Sequence, residues 1–329
     1  MSIFTTNLYW KTTERIFYMT TMLAGKDILH VKDIKLEQIS LILETAARFE
    51  QVLVSGGRLN NLSGKILAVL FYEPSTHTRL SFETAMLRLG GQVVSVPDAK
   101  ASSSAVKGET LYDTGKMIDG YADVAVIRHM QEGSARELAD GASVPVINGG
   151  DGSGQHPTQA LLDVYTIQKE KGRLNNLTVT LAGDLKNGRT VHSLSWLLGK
   201  YGPRFYFVSP NELRMPSEIT KALRDDGIEV IETPNLADAA AKSDVLYMTR
   251  VQKERFTDSE AYERLKGTYV ITRELVQHAK TGITLLHPLP RVDEIARDVD
   301  EYEGAAYFRQ AANGGPIRMA VIALLTGCE

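Results

Sequence analysis

The chain has 329 residues, a formal net charge of −3 and a single cysteine, and 43% of its residues are hydrophobic. This length is too great for one ordinary core and fits two α/β domains, while the small charge gives no reason to expect nucleic acid or a membrane surface as a partner. Cys328 alone excludes an intrachain disulfide and a cysteine-based zinc site, and it suits a reducing compartment such as the cytoplasm.

Residues 1–24 stand apart from the rest of the chain. They contain aromatic and basic residues, but no secretory signal pattern is evident. We expect a poorly ordered N-terminal extension. A short organelle-targeting segment is one alternative. Another is an over-long start, because Met19 and Met22 both precede Gly25.

The first half of the chain predicts alternating helices and strands. Leu36, Ile39 and Leu43 recur at helical spacing in the first helix, and Leu80 and Leu87 fall on one face of the second. Helices are predicted at 35–55, 78–90, 110–120 and 134–140, and strands at 65–72, 92–96, 123–127 and 144–147. This alternation is typical of a parallel sheet with helices on both faces.

The second half repeats the alternation after a glycine cluster at 149–154. Pro157 suits the first turn of a helix that runs to about residue 170 and connects the domains. Strands are predicted at 178–182, 205–208, 229–231, 245–248 and 284–286, with helices at 190–200, 216–225 and 316–325. The fold class is therefore α/β, with two domains that each contain a parallel sheet flanked by helices. We expect the first domain at 25–155 and the second at 156–304, followed by a C-terminal helix within 305–329.

The segment Ser75-Thr76-His77-Thr78 is predicted to lie where a strand ends and a helix begins. Free backbone N–H groups and the positive end of the helix dipole meet there, which favours an anion. The three hydroxyls and Arg79 add donors that suit phosphate oxygens. An ordinary helix cap is the alternative, because Ser and Thr are favoured there without any ligand.

Other polar residues follow predicted strands or begin helices. Arg128 follows a strand, although a solvated surface arginine is the ordinary alternative. His156 and Gln159 are three residues apart at a helix start, so both can face one cleft. Arg189 and Arg250 each follow a strand. The planar guanidinium group of an arginine can donate two hydrogen bonds to one carboxylate, so two arginines on separate loops suit a dicarboxylate.

Two further segments restrict the chemistry. The glycines at 183 and 188 lack the Gly-x-Gly-x-x-Gly spacing, so a bound dinucleotide is not expected. In His287-Pro288-Leu289-Pro290, two prolines fix the backbone and hold its carbonyl groups in place, where they can accept from an amine or an amide. A tight structural turn is the alternative reading.

These segments carry a family resemblance. Ser75-Thr76-His77-Thr78-Arg79 with the following Leu-Ser-Phe-Glu resembles the carbamoyl phosphate loop of the aspartate and ornithine carbamoyltransferases. The motifs beginning at His156 and His287 occur in the same order and spacing as in that family. Pro288 matches the aspartate branch, because the ornithine branch typically has cysteine there.

The resemblance assigns roles to individual residues. It gives catalytic roles to Thr78, Arg128, His156 and Lys107. Residues that contact carbamoyl phosphate would be Ser75, Thr76, His77, Thr78, Ser103, Arg128, His156, Gln159, Leu289 and Pro290. Residues that contact aspartate would be Lys107, Arg189, Arg250, Gln252 and Pro288. Ser103 and Lys107 would come from the neighbouring subunit of a homotrimer, so that the active sites are shared.

The resemblance implies transfer of a carbamoyl group from carbamoyl phosphate to L-aspartate, an early step of pyrimidine synthesis, without a metal or organic cofactor. In the family, the C-terminal helix packs on the carbamoyl phosphate domain, and 156–304 would bind aspartate. The sequence leaves open whether regulatory chains bind. Ornithine is an alternative acceptor, although Arg189 and Arg250 would repel its cationic side chain. A second alternative is a catalytically impaired assembly subunit, because His77 replaces the family's usual arginine.

Overall fold

A computed structural model of the protein describes residues 22–99, 107–252 and 259–329. These residues form two compact units. Unit 1 comprises the described residues up to Gly152 together with Gly315–Glu329, and unit 2 comprises those from Ser153 to Gly314. Each unit contains one parallel sheet flanked by helices, which confirms the predicted fold class.

Unit 1 is built on a four-stranded sheet with the order β2-β1-β3-β4. Its strands are β1 (Ile66–Phe71), β2 (Gln92–Val96), β3 (Val124–His129) and β4 (Val146–Asp151). Its helices are α1 (Leu36–Val54), α2 (Thr76–Arg88), α3 (Leu111–Ile118) and α4 (Ser134–Gly141), preceded by a 3₁₀ turn at Val31–Asp33. The central strands β1 and β3 are apolar and buried, as expected for parallel strands covered on both faces.

Helix α2 buries a different face from the one on which Leu80 and Leu87 recur. Leu80 is 50% exposed and Leu87 is 60% exposed, whereas Phe82 and Met86 are fully buried. The periodicity of the leucines therefore identifies the helix correctly but marks its outer surface. Edge strand β2 is also largely exposed.

The C-terminal helix α11 (Tyr307–Thr326) begins well before the predicted start at Pro316. Two glycines and a proline in succession favour a helix break, so the sequence indicates a start at the proline. In the structure Pro316 lies inside the helix. Within unit 1, Arg318 is buried, donates to Ser81 Oγ at 2.8 Å and lies over the ring of Phe82.

Unit 2 is built on a five-stranded sheet with the order β7-β6-β5-β8-β9. Its strands are β5 (Thr178–Gly183), β6 (Arg204–Val208), β7 (Val230–Thr233), β8 (Val245–Thr249) and β9 (Thr284–Leu286). Its helices are α5 (Pro157–Lys171), α6 (Arg189–Gly199), α7 (Ser217–Asp225), α8 (Leu236–Ala240), α9 (Ser259–Leu265) and α10 (Arg273–His278), with 3₁₀ turns at Asn211–Leu213 and Arg297–Glu301. All strand pairs are parallel, so all strand ends of one kind lie along one edge.

The first described residues form a turn against unit 1. Leu23 is buried, and the Gly25 N–H donates to the Leu325 carbonyl at 2.9 Å. Residues 1–21 of the predicted extension lie outside the described residues. Within the described ranges, no helix combines the length and apolar character needed to span a bilayer.

Candidate active site

The sheet of unit 1 places two of the predicted segments side by side. In the order β2-β1-β3-β4, the chain leaves β1 toward one edge and then crosses to β3 on the other side. Ligands of parallel α/β sheets bind at the carboxyl ends of the strands at such a switch point. Phe71, the last residue of β1, lies opposite Arg128 in β3, and the loop after β1 leads into Ser75.

Ser75 occupies the N-cap position of α2, with an extended φ of −161°, but its side chain makes no capping hydrogen bond. The first N–H groups of α2 are therefore not satisfied by this hydroxyl, and they can donate to an anion. Thr76 and His77 are exposed in this first turn, whereas Thr78 is buried. The predicted phosphate-binding segment thus has the helix start that anion binding needs.

Arg128 is held in place by two contacts within unit 1. Its Nη1 donates to the Gly149 carbonyl at 3.1 Å, and its Nη2 lies 3.1 Å from Glu73 Oε2. The Arg128 side chain is only 11% exposed, so this ion pair is poorly screened. A phosphate that binds Arg128 would share the guanidinium with Glu73 or displace it.

The loop predicted to act on a neighbouring subunit is described only from Lys107 onward. Ser103 lies outside the described residues. Lys107 is exposed, and within the described part of the chain it has no hydrogen bond or ion pair.

In unit 2, both predicted arginines also follow strands at a switch point. The order β7-β6-β5-β8-β9 reverses direction between β5 and β8. Arg189 begins α6 after β5, and Arg250 directly follows β8. Gln252 Nε2 donates to the Asn187 carbonyl at 3.3 Å and so links the two loops.

Gly183 allows these two loops to approach closely. It has a φ of +110°, and a Cβ at this position would lie 2.0 Å from the Thr249 carbonyl oxygen. Only glycine fits such a backbone conformation at that distance. The sheet edge that carries Arg189 and Arg250 therefore depends on this residue.

His156 and Gln159 begin helix α5, as predicted. His156 is its N-cap residue, is 4% exposed, and donates its backbone N–H to Ser193 Oγ in α6 at 3.0 Å. Gln159 Nε2 donates to Asp163 Oδ1 at 2.9 Å. Because a carboxylate only accepts hydrogen bonds, this contact assigns the nitrogen of the Gln159 amide to Asp163 and turns its Oε1 away.

The His287–Pro290 loop follows β9, the strand next to β8. His287 Nε2–H donates to Glu294 Oε1 at 2.6 Å, and the Leu289 N–H donates to His287 Nδ1 at 2.8 Å. These two bonds require the neutral tautomer with its proton on Nε2. Leu289 has a φ of +54°, a left-handed conformation that costs free energy in a non-glycine residue and needs such support.

Burial and pairing set the charges of His287 and Glu294. Burial lowers the pKa of His287 and outweighs the opposite effect of Glu294. Burial alone would raise the pKa of Glu294, but hydrogen bonds from His287 and from backbone N–H groups outweigh it and lower that pKa. The pair is therefore a neutral imidazole that donates to a carboxylate.

Two family models match nearly the whole chain. The model for the carbamoyl-P binding domain of aspartate/ornithine carbamoyltransferases matches residues 26–169, and the model for the Asp/Orn binding domain matches residues 175–325. The chain belongs to the aspartate/ornithine carbamoyltransferase family. The resemblance inferred from its motifs is confirmed.

Relatives within this carbamoyltransferase family cover most of the chain. It is 51% identical over 303 residues to the aspartate carbamoyltransferase catalytic subunit of Thermococcus kodakarensis, covering 92% of this chain and 97% of that protein. It is 52% identical over 300 residues to the same subunit of Methanothermobacter thermautotrophicus, covering 91% and 95%.

Solved structures of aspartate transcarbamoylases have the same fold. The enzyme of Trypanosoma cruzi in complex with carbamoyl phosphate and aspartate gives a TM-score of 0.88 at 39% identity, covering 92% of this chain and 97% of that one. The catalytic subunit of the M. jannaschii enzyme gives 0.84 at 51% identity, covering 90% and 96%.

Several residues of this carbamoyltransferase site were not found from its sequence. Glu73 was overlooked, although its position between the end of β1 and Pro74 places a carboxylate at the strand end. Asp163 was overlooked, although it follows Gln159 by one helical turn. No sequence signal connects Asp163 with Gln310, which lies 147 residues further on.

Proposed function

We propose that this chain transfers the carbamoyl group from carbamoyl phosphate to the amino group of L-aspartate and so forms N-carbamoyl-L-aspartate and phosphate, an early step of pyrimidine synthesis. The observation that carries the proposal is the pair of arginines at the adjacent ends of β5 and β8. The relatives are named aspartate carbamoyltransferase catalytic subunits. The single cysteine agrees with a cytoplasmic location.

In this proposal, unit 1 binds the phosphate group. The first turn of α2 supplies backbone N–H groups and hydroxyls from Ser75, Thr76 and Thr78, with His77 as an additional donor. Arg128 supplies a bidentate fork, which suits phosphate oxygens. Ser103 and Lys107 of a neighbouring copy complete the set. Because the backbone N–H groups of the α2 turn are fixed before the ligand arrives, little reorganisation of this turn accompanies binding.

The transfer step needs no covalent intermediate on the protein. The aspartate amine donates its lone pair to the carbonyl carbon, and the carbonyl oxygen gains negative charge. Thr78, Arg128 and His156 stabilise this oxygen, and donors of this kind typically contribute about 3 kcal/mol each. The bond from carbon to the phosphate oxygen then breaks with its electron pair, and the departing phosphate takes the proton that the amine loses.

The carbamoyl NH₂ is held by acceptors in unit 2. Gln159 presents Oε1, because its nitrogen is bonded to Asp163. The Leu289 and Pro290 carbonyls accept from the same NH₂ group. Arg189, Arg250, Gln252 and Pro288, together with Lys107 of the neighbouring copy, hold aspartate, so that both substrates are fixed in one orientation.

Turnover with alternative amines tests the proposal. We expect the purified chain to form phosphate from carbamoyl phosphate at a far higher rate with L-aspartate than with L-ornithine. The reason is that Arg189 and Arg250 pair with carboxylates and repel an ammonium group. Equal rates, or faster turnover of ornithine, would remove aspartate as the acceptor.

Assembly as a homotrimer with shared active sites is part of the proposal. Its support is the pair of exposed leucines, Leu80 and Leu87, on the outer face of α2, because a partner that covers exposed apolar side chains removes them from water. Hybrids made from inactive Lys107→Ala and Arg250→Ala chains should regain part of the activity. Hybrids that stay inactive would contradict shared sites.

Regulatory chains are a further proposed partner. The relatives are each named a catalytic subunit, which is consistent with a second kind of chain. The mass of the assembly isolated from its native cells tests this directly: a trimer of this chain alone would contradict it.

A further inference from the structure

A line of buried polar side chains runs through unit 2, and the proposed function does not use its central members. Asp163 in α5 is fully buried, and Gln310 in α11 is 1% exposed. Asp163 Oδ1 accepts from Gln159 Nε2 at 2.9 Å and from Gln310 Nε2 at 2.6 Å. One carboxylate oxygen therefore joins two glutamines from separate helices.

The line continues to the loop after β9. Gln310 Oε1 accepts from the His287 N–H at 2.8 Å, and His287 Nδ1 accepts from the Leu289 N–H at 2.8 Å. Four hydrogen bonds thus connect Gln159 with Leu289. These two end residues are two of the three to which the proposed function assigns the carbamoyl NH₂, the third being Pro290.

Chemistry fixes the direction of every bond in this line. Asp163 can only accept, so both glutamines must present their nitrogens to it. Gln310 is then left with its oxygen for His287, and Gln159 with its oxygen for a ligand. An apolar side chain in place of Asp163 would leave both of these orientations unspecified, because it offers no acceptor.

A buried carboxylate is an expensive way to join two helices. Burial of an ionised group costs several kcal/mol unless its hydrogen bonds are complete, and apolar replacements of buried charged groups are often at least as stable. Next to it, Tyr247 is fully buried, and burial together with the Asp163 charge raises the pKa of this tyrosine well above its ordinary value. Tyr247 thus stays neutral.

We propose that Asp163 and Gln310 are positioning residues for the carbamoyl group. Asp163 fixes the Gln159 amide so that Oε1 faces the substrate NH₂, and Gln310 ties that arrangement to the backbone at Leu289. This inference rests on the proposed function, because it concerns the same site. It adds that two residues that present acceptors to the NH₂ group, Gln159 and Leu289, are set by one buried network.

The decisive variant is Asp163→Leu, which keeps the branching of the side chain but accepts no hydrogen bond. We expect carbamoyl phosphate to bind at least tenfold more weakly and kcat to fall by about tenfold to a hundredfold. The affinity for inorganic phosphate, which has no carbamoyl NH₂, should stay within about twofold. Gln310→Met should change the same two quantities in the same direction, and the double variant should be much less than additive.

The chain offers a matched control on the same two helices. Thr166 in α5 accepts from Asn313 Nδ2 at 2.8 Å, one turn beyond the Asp163–Gln310 contact. Thr166→Val should lower stability without changing the ratio of the two affinities. Asp163→Asn keeps one oxygen that both glutamines can share, so its loss should lie between wild type and Asp163→Leu.

The outcomes separate the inference from the proposed function. Wild-type protein that transfers no carbamoyl group to aspartate would remove the proposed function itself. If wild type is active, but folded Asp163→Leu and Gln310→Met proteins keep the wild-type kcat and affinity ratio, the positioning role is wrong. An equal loss of carbamoyl phosphate and phosphate binding in both variants would also overturn it. If Asp163→Leu does not fold, Gln310→Met decides.

Discussion

Replacing Glu294 by glutamine should break the buried pair that supports the His287–Pro290 loop. Glu294 Oε1 accepts from His287 Nε2–H at 2.6 Å, and its Oε2 accepts from the Val292 and Asp293 N–H groups at 3.2 Å. Glutamine has one oxygen and one NH₂ group, so either orientation puts a donor against a donor. His287 cannot switch tautomers to compensate, because its Nδ1 already accepts from Leu289.

The loss of stability depends on which carboxylate oxygen the glutamine NH₂ replaces: Oε1, which faces His287, or Oε2, which faces the backbone N–H groups. The two backbone bonds are the longer ones, so we expect the NH₂ of the glutamine to face them and its oxygen to stay with His287. A buried donor without an acceptor costs about 1–3 kcal/mol. For a chain of 329 residues that unfolds as one unit, this corresponds to a decrease in Tm of roughly 1–4 °C. Activity should fall as well, because Leu289 and Pro290 would lose their fixed position.

Thermal unfolding of Glu294→Gln and wild type near pH 7.5, together with phosphate release in the presence of aspartate, measures both effects. Glu301→Gln is the matched control, because Glu301 is 78% exposed and pairs with Arg273 at the surface. Such an exposed pair contributes at most about 1 kcal/mol, and often nothing measurable. A Glu294→Gln protein with the Tm and kcat of the control would refute the assignment of the tautomer and of the pair.

Four further outcomes are expected. Arg250→Ala should raise the KM for aspartate and lower kcat, so that kcat/KM falls by an amount equivalent to about 2 kcal/mol or more. The affinity for carbamoyl phosphate should stay nearly unchanged. Equal losses of affinity for both ligands would indicate misfolding instead. Gly183→Ala should lower the free energy of unfolding by about 1–3 kcal/mol, because its Cβ would meet the Thr249 carbonyl and push the end of β8 away. Denaturant unfolding measures this change, and a stability equal to wild type would contradict the close approach of the two loops. His77→Arg should bind carbamoyl phosphate more tightly, because arginine presents a planar fork that suits phosphate oxygens. An unchanged KM for carbamoyl phosphate would mean that His77 is harmless and would remove the support for an impaired subunit. The free energy of unfolding should fall as pH decreases from about 6.5 to 5. The reason is that burial lowers the pKa of His287 in the folded state, so the unfolded chain takes up the proton first. A free energy of urea unfolding that does not change over this pH range would contradict the prediction.

Much of the fold could be predicted because apolar runs mark buried parallel strands directly. Strands β2 and β9 have the predicted bounds, and the others differ by a few residues at most. The positions of Arg128, Arg189 and Arg250 followed from the same signal, because each lies at or just after a strand end. In a parallel sheet these ends meet at one edge, so residues distant in sequence become neighbours without any further information.

The supporting network could not be predicted in the same way. The hydrogen bonds of Gln310 to Asp163 and His287 depend on how α11 packs in unit 2, and no periodicity encodes that. The start of α11 was wrong for a related reason. Local propensity places a break at Pro316, whereas the buried contacts of Tyr307 and Gln310 keep the preceding turns helical.

The exposed leucines of α2 show how a periodic pattern can be correct about a helix and silent about its environment. Phe82 and Met86 cover the sheet of unit 1, while Leu80 and Leu87 lie on the outer face of the same helix. Exposed apolar side chains at helical spacing favour association with a partner, because the partner removes them from water. The same helix carries Thr76 and Thr78 at its start, so a partner that covers its outer face would also lie beside the proposed phosphate-binding turn. The outward leucines therefore support the proposal of shared sites.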